Sequence, residues 1–205
     1  MLAMVVNDNA GDLMPSGVPA TIASTLAPTG GEPPHPERNM DEITRLAAEL
    51  GKRLQTLKAD VTTAESCTGG GIAEAITRIS GSSAWFEAGY VTYSNRQKSL
   101  QLKVPESLFE QVGAVSREVV EAMVRGAQAH SGAHFAVAVS GVAGPDGGSA
   151  EKPVGTVWLA WACGDEVSAE RRHFPGDREA VRRQTVQAAL EGLLRRADAE
   201  IANQG

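Results

Sequence analysis

Two glycine loops, each directly behind a stretch that reads as a strand, constrain this chain most. The first is AESCTGGG, residues 64–71, behind Asp60–Ala64. The second is SGVAGPDGG, residues 140–148, behind Phe135–Ser140. FAVAVS at 135–140 is apolar without interruption, as a strand covered on both faces must be. In open α/β sheets, ligands bind beyond the carboxyl ends of the strands. Glycine there lets backbone N–H groups approach a ligand, and a helix N-terminus adds partial positive charge. The same glycines also serve βα turns for geometry alone. Gly69, Gly70, Gly71, Gly141, Gly144, Gly147 and Gly148 supply seven of the 22 glycines. Neither loop is a Walker A or a GxGxxG, so ATP and dinucleotide binding are not indicated.

The remaining pattern fills in a layered α/β domain. Ile43, Leu46, Leu50, Leu54 and Leu57 recur at three- and four-residue steps and predict a helix, capped by Asn39 or Asp41. A small-residue helix is expected at Ile72–Ile79 and a strand at Ala88–Tyr93. Short helices follow at Asn95–Leu100 and Pro105–Gln111, with Pro105 at the first helical position. Ser116 caps a helix bearing Val119, Val120, Met123 and Ala127 on one side. Thr156–Cys163 and Val167–Phe174 read as a hairpin, its second strand near an edge. Asp177 caps a last helix, Arg178–Ala197. We read the order as α-β-α-β-α-α-β-β-β-α, an α/β fold with a mixed sheet of about five strands.

The first residues differ from the rest. Residues 1–40 hold six of the ten prolines, four of the five methionines and no aromatic residue. We read 1–39 as a mostly disordered arm or a mis-assigned start, and 40–202 as the folded domain. The formal net charge is −6, and Asp8, Asp12, Glu32 and Glu37 against Arg38 put half of it on the arm. An acidic chain argues against a nucleic-acid partner. With aromatics at only 4%, stacking platforms are not indicated either. Cys67 and Cys163 form no disulfide framework and no CxxC metal spacing, which fits a reducing cytoplasm. No apolar run is long enough for a membrane span. No metal and no cofactor are expected.

Ser66 stands where strand, glycine loop and helix meet. Its hydroxyl is a candidate nucleophile for a carbonyl carbon, or an ordinary helix cap. None of His35, His130, His134 and His173 lies in a recognisable catalytic setting. Lys98, just past the end of a strand, is the alternative base, provided burial lowers its pKa; otherwise it is a solvated surface lysine. Cys67 reads as a small core residue.

Five segments bear on identity: A-E-S-C-T-G-G at 64–70, G-x-V-T-Y-S-N-x-x-K at 89–98, G-A-V-S at 113–116, S-G-V-A-G-P-D-G-G at 140–148 and E-K-P-V-G-T-V at 151–157. With G-D-R at 176–178, they make the chain resemble the C-terminal domain of the competence-damage-inducible CinA proteins, from about Met40 to Ala197. The resemblance implies a three-layer α/β/α sandwich and hydrolysis of the carboxamide of nicotinamide mononucleotide (NMN), in pyridine nucleotide salvage. It implies Ser66 as nucleophile, Lys98 as general base and Tyr93 as an assisting hydroxyl, without metal. Thr68, Gly69, Gly70, Asn95, Ser140, Gly141 and Gly144 are the implied substrate contacts. Arg178 and Arg182 are candidates for the phosphate, Arg178 preferred from G-D-R. A homo-oligomer is expected. Many members of that family carry a larger N-terminal domain, which forty Pro-rich residues cannot supply, and Val142 stands where isoleucine is common. The readings that compete with this one are a non-catalytic nucleotide-binding module and a serine amidase for another small carboxamide.

Overall fold

The computed structural model describes residues 41–204. The expected N-terminal arm lies outside the described residues. The elements are α1 (Glu42–Leu57), β1 (Val61–Glu65), α2 (Gly71–Thr77), β2 (Phe86–Val91), α3 (Asn95–Leu102), α4 (Glu106–Gln111), α5 (Arg117–Ser131), β3 (Phe135–Gly141), β4 (Thr156–Cys163), β5 (Glu166–His173) and α6 (Arg178–Gln204). A single 3₁₀ turn, Ser82–Ala84, precedes β2.

One five-stranded sheet runs in the order β2-β1-β3-β4-β5. β1 pairs in parallel with β2 and β3, and β4 is antiparallel to β3 and β5. The sheet is therefore mixed, as expected, with β5 at one edge and β2 at the other.

The pleat sorts side chains by size. Phe135, Val137 and Val139 of β3 and Val157, Leu159 and Trp161 of β4 face α1, α2 and α6. Ala136, Ala138, Ala160 and Ala162 point the other way, toward α5 and Leu102 of α3. This is the period-2 alternation of strands, used to make one thick core and one thin one. Trp161 fills the thick side and donates its indole N–H to the Ala189 carbonyl of α6 at 2.9 Å. It fits because residue 192 is glycine: a Cβ there would lie 2.1–2.4 Å from the indole. Gly192→Ala should cost about 1–3 kcal/mol through overpacking.

Helix ends follow side-chain chemistry. Asp41, one of the two expected caps, accepts from the N–H groups of Ile43 and Thr44. Ser116 accepts from Val119 N–H, and Asp177 from Ala180 N–H. Pro105 is the N-cap of α4 rather than its first helical residue. Three helices, α3, α4 and α5, separate β2 from β3 at the three expected places, although the order written from sequence counted two. β2 lies at Phe86–Val91, two residues earlier than expected. α6 runs seven residues beyond Ala197, because the sequence there supplies no glycine or proline stop before Gly205.

The connections that leave β1 and β2 turn to opposite faces. α2 packs with the thick core and α3 with the thin one. A crevice at the carboxyl ends of neighbouring strands is the place where such sheets bind ligands.

Candidate active site

Ser66 follows β1 immediately, and its N–H still donates to Val139 of β3 at 3.1 Å. This last rung of the ladder fixes the serine backbone to the centre of the sheet. Lys98 comes from the first turns of α3, whose N-cap, Ser94, accepts from Gln97 N–H. The helix swings the lysine back over the end of the sheet, and its side chain is only 1% exposed.

The Lys98 Nζ has three partners. It lies 2.9 Å from Ser66 Oγ, 2.9 Å from the Thr92 carbonyl and 3.0 Å from the Tyr93 carbonyl. None of these is an acid. Burial pushes the ammonium down from 10.5 to about 8. The neighbouring Cys67 thiol is itself pushed up to about 12, chiefly by burial, so it offers no anion near neutral pH. In the neutral amine two N–H bonds satisfy the two carbonyls. The lone pair is then left for the serine hydroxyl, which is the geometry a general base requires.

Glu65 was not singled out in the sequence, yet it organises the loop. It is 0% exposed. One carboxylate oxygen accepts from Thr68 Oγ1 at 2.6 Å and from the N–H groups of Gly70 and Ile72 at 3.0 Å. The other accepts from Ala73 N–H at 2.8 Å. The buried charge sits against the N-terminus of α2, where the helix dipole and free N–H groups stabilise an anion. The signal was present: an acid at a strand end, followed by glycines and a helix start.

The glycine N–H groups of this loop are occupied. Gly69 donates to Ser66 O, Gly70 to Glu65 and Gly71 to Thr68 O. The Gly69 and Gly70 N–H groups are thus already partnered within the loop. Their role is conformational, with φ of +60° and +97°. Among the described residues, the N–H groups of Cys67 and Thr68 donate to no backbone carbonyl or carboxylate. They are the free donors beside Ser66.

Tyr93 reaches Lys98 through its carbonyl. Its side chain is 60% exposed, and its hydroxyl accepts from Arg178 at 3.1 Å, bonding to neither Ser66 nor Lys98. Arg178 also donates to the Gly144 carbonyl at 2.9 Å, so it joins the second glycine loop to the Tyr93 corner. Arg182, one turn along α6, donates to the Thr68 carbonyl at 2.8 Å, and its Nε is buried without a partner. Neither guanidinium is paired with a carboxylate among the described residues. Ser140 donates to the Ala114 carbonyl at 2.8 Å and ties the β3 end to the 113–116 segment. Gly141 is a packing glycine: a Cβ would lie 2.6 Å from Val157. Asn95, at the start of α3, is exposed. A cleft of about 410 Å³ between α1, α2 and α6 is lined by Thr68, Gly71, Arg182 and Val186, but not by Ser66 or Lys98.

Known proteins share this arrangement of sequence and fold. The family described as "CinA C-terminal domain" matches residues 43–197. A Pseudomonas putida protein named "Nicotinamide-nucleotide amidohydrolase PncC" is 78% identical over 155 residues, covering 76% of this chain and 97% of the relative. An Escherichia coli K12 protein of the same name is 53% identical over 153 residues, 74% of this chain and 93% of the relative. The crystal structure of a CinA superfamily protein from Klebsiella pneumoniae superposes with a TM-score of 0.75 at 35% identity, covering 78% of this chain and 99% of that one. No helix among the described residues is long and apolar enough to cross a membrane. The sandwich, the motif order and the matched span agree, and the chain belongs to the CinA C-terminal domain family.

Proposed function

We propose that this chain hydrolyses the carboxamide of nicotinamide mononucleotide, giving nicotinate mononucleotide and ammonia. The observation that carries the mechanism is a buried lysine without a counter-ion, held by two carbonyls at 2.9 and 3.0 Å and 2.9 Å from a serine hydroxyl. The names of the 78% and 53% identical relatives support the substrate.

Neutral Lys98 takes the Ser66 proton as Oγ attacks the carboxamide carbon. The Cys67 and Thr68 N–H groups receive the developing oxyanion; one such donor contributes about 10²–10³ in rate. Lys98 then returns the proton to the leaving nitrogen, the C–N bond breaks and ammonia departs. Water, deprotonated by Lys98, hydrolyses the acyl-serine. Each step uses one proton on one amine, so the cycle closes without metal.

Arg178 is the better phosphate candidate. It lies at the rim formed by Tyr93 and Gly144, whereas Arg182 faces the cleft that excludes the Ser66–Lys98 pair. A guanidinium grips a phosphate through two parallel N–H bonds. Tyr93 holds Lys98 by its main chain and Arg178 by its hydroxyl. We further infer a cytoplasmic homo-oligomer; the large side chains Val91, Tyr93 and Leu100 stand exposed beside the site, and light scattering reads the mass.

Ammonia release from NMN by the purified chain, without added metal, tests the proposal. Ser66→Ala should lower kcat by about 10⁴-fold or more. Full activity in Ser66→Ala, or saturable NMN binding without ammonia release by the unaltered chain, would overturn it.

A further inference from the structure

Three side chains of different ligand chemistry converge at the other end of the sheet. His134 precedes β3, Cys163 ends β4 and Glu200 lies near the end of α6. Their ligand atoms all lie within 4.8 Å of one another. Cys163 Sγ is 3.5 Å from His134 Nε2 and 3.8 Å from a Glu200 carboxylate oxygen. Those lengths have a meaning. With Zn–S of about 2.3 Å and Zn–N or Zn–O of about 2.0–2.1 Å at tetrahedral angles, the S···N and S···O edges are each about 3.5 Å. Both edges at the sulfur are close to those lengths, and the third lies within 4.8 Å.

Glu200 and His134 have further contacts. Gln204 donates to Glu200 Oε1 at 3.2 Å, leaving Oε2 toward the sulfur. The His134 carbonyl accepts from Gly164 N–H and from Gln128 Nε2, each at 3.0 Å. The His134 ring stands edge-on to Phe135, with centroids 4.9 Å apart. The Gln204 contact is of the kind that orients a ligating carboxylate. One thiolate, one carboxylate and one neutral imidazole balance a divalent charge. A set of one S, one N and one O suits zinc and not magnesium or calcium.

We propose that His134, Cys163 and Glu200 bind one zinc ion, with water in the fourth position, clipping the end of α6 to the β3–β4 edge. On binding, the S–H bond breaks, its proton goes to solvent and an S–Zn bond forms; nothing is oxidised or reduced. The site lies at the opposite end of β3 from Ser140, about 20 Å away at roughly 3.3 Å per residue, so it takes no part in amide hydrolysis. Without metal, the Cys163 thiol is pushed up to about 11 by burial and by the Glu200 and Glu166 carboxylates.

The test is a Co²⁺ titration of the full chain after chelator treatment, read by the near-ultraviolet thiolate-to-metal charge-transfer band and reversed by zinc. One equivalent should bind with a micromolar or tighter dissociation constant, and zinc should raise Tm by several degrees. Cys163→Ser should abolish the band. His134→Gln, at an exposed position, should weaken binding at least tenfold. Ser66→Ala should bind as the unaltered chain does. Absence of the band, or a band that survives both Cys163→Ser and His134→Gln, would overturn the site.

Discussion

Two charged side chains are buried at the carboxyl end of this sheet, and their surroundings are opposite in kind. Glu65 lies beneath the first glycine loop, where three backbone N–H groups and the Thr68 hydroxyl point at its carboxylate. Lys98 lies at the β2–α3 corner, where it meets two carbonyls and a hydroxyl but no anion. The carboxylate is solvated by the protein and behaves as an anchor. The ammonium is stripped of water without a compensating charge, so its proton is held loosely. Burial alone does not mark a reactive group; what matters is which form of the group its neighbours favour.

Lys98→Met breaks the contrast most severely. Removal of the base should lower kcat by about 10²–10⁴-fold. It should also change how stability depends on pH. The folded chain releases the Lys98 proton near pH 8, the unfolded chain near 10.5. Between these values the unfolded state binds more protons, so stability rises with pH, by up to about 3 kcal/mol. Above about pH 9 the buried Cys67 and Cys163 thiols, raised to about 12 and about 11, pull the other way, so chemical denaturation should show the Lys98 contribution as the difference between the unaltered chain and Lys98→Met.

Glu65→Ala attacks the other side of the comparison. It orphans the buried Ile72 N–H and Thr68 hydroxyl and the half-buried Gly70 and Ala73 N–H groups, and should cost about 3 kcal/mol or more, a fall of roughly 10 °C in Tm. Glu65→Gln keeps one acceptor oxygen and should lose less. Calorimetry on the pair separates the charge from the hydrogen bonds.

Arg178→Ala sharpens the assignment of the phosphate. KM for NMN should rise about 10–100-fold, with little change for the riboside, which lacks the phosphate. Tyr93→Phe should have the smallest effect, a few-fold in KM, because the carbonyl that holds Lys98 is untouched. A kcat loss as large as that of Lys98→Met would instead put the hydroxyl in the proton path.

Much of this was legible in the sequence, for identifiable reasons. FAVAVS announced a central strand, and both glycine loops fall at strand ends, because turn chemistry and burial are local properties. Ser66 and Lys98 were named through motif order, and the 2.9 Å contact brings them together across 32 positions. Glu65 was missed because an acid at a strand end acquires meaning only when the helix N-terminus folds over it. The carbonyl role of Tyr93 was missed because a residue type advertises its side chain. The ends of β2 were misplaced because that edge strand alternates weakly between half-buried and exposed positions. Cys163 gave no metal spacing because His134 lies 29 positions away and Glu200 37; the β3–β4 register sets the first beside it and the end of α6 brings the second.

The central claim is that a serine deprotonated by an uncharged, buried lysine cleaves the NMN carboxamide. The most direct test is the pH dependence of kcat/KM for ammonia release from NMN between about pH 6 and 10. The rate should climb tenfold per unit at low pH and level off near 8, where Lys98 loses its proton. A rate flat across that range, or one that falls as pH rises through 8, would contradict it.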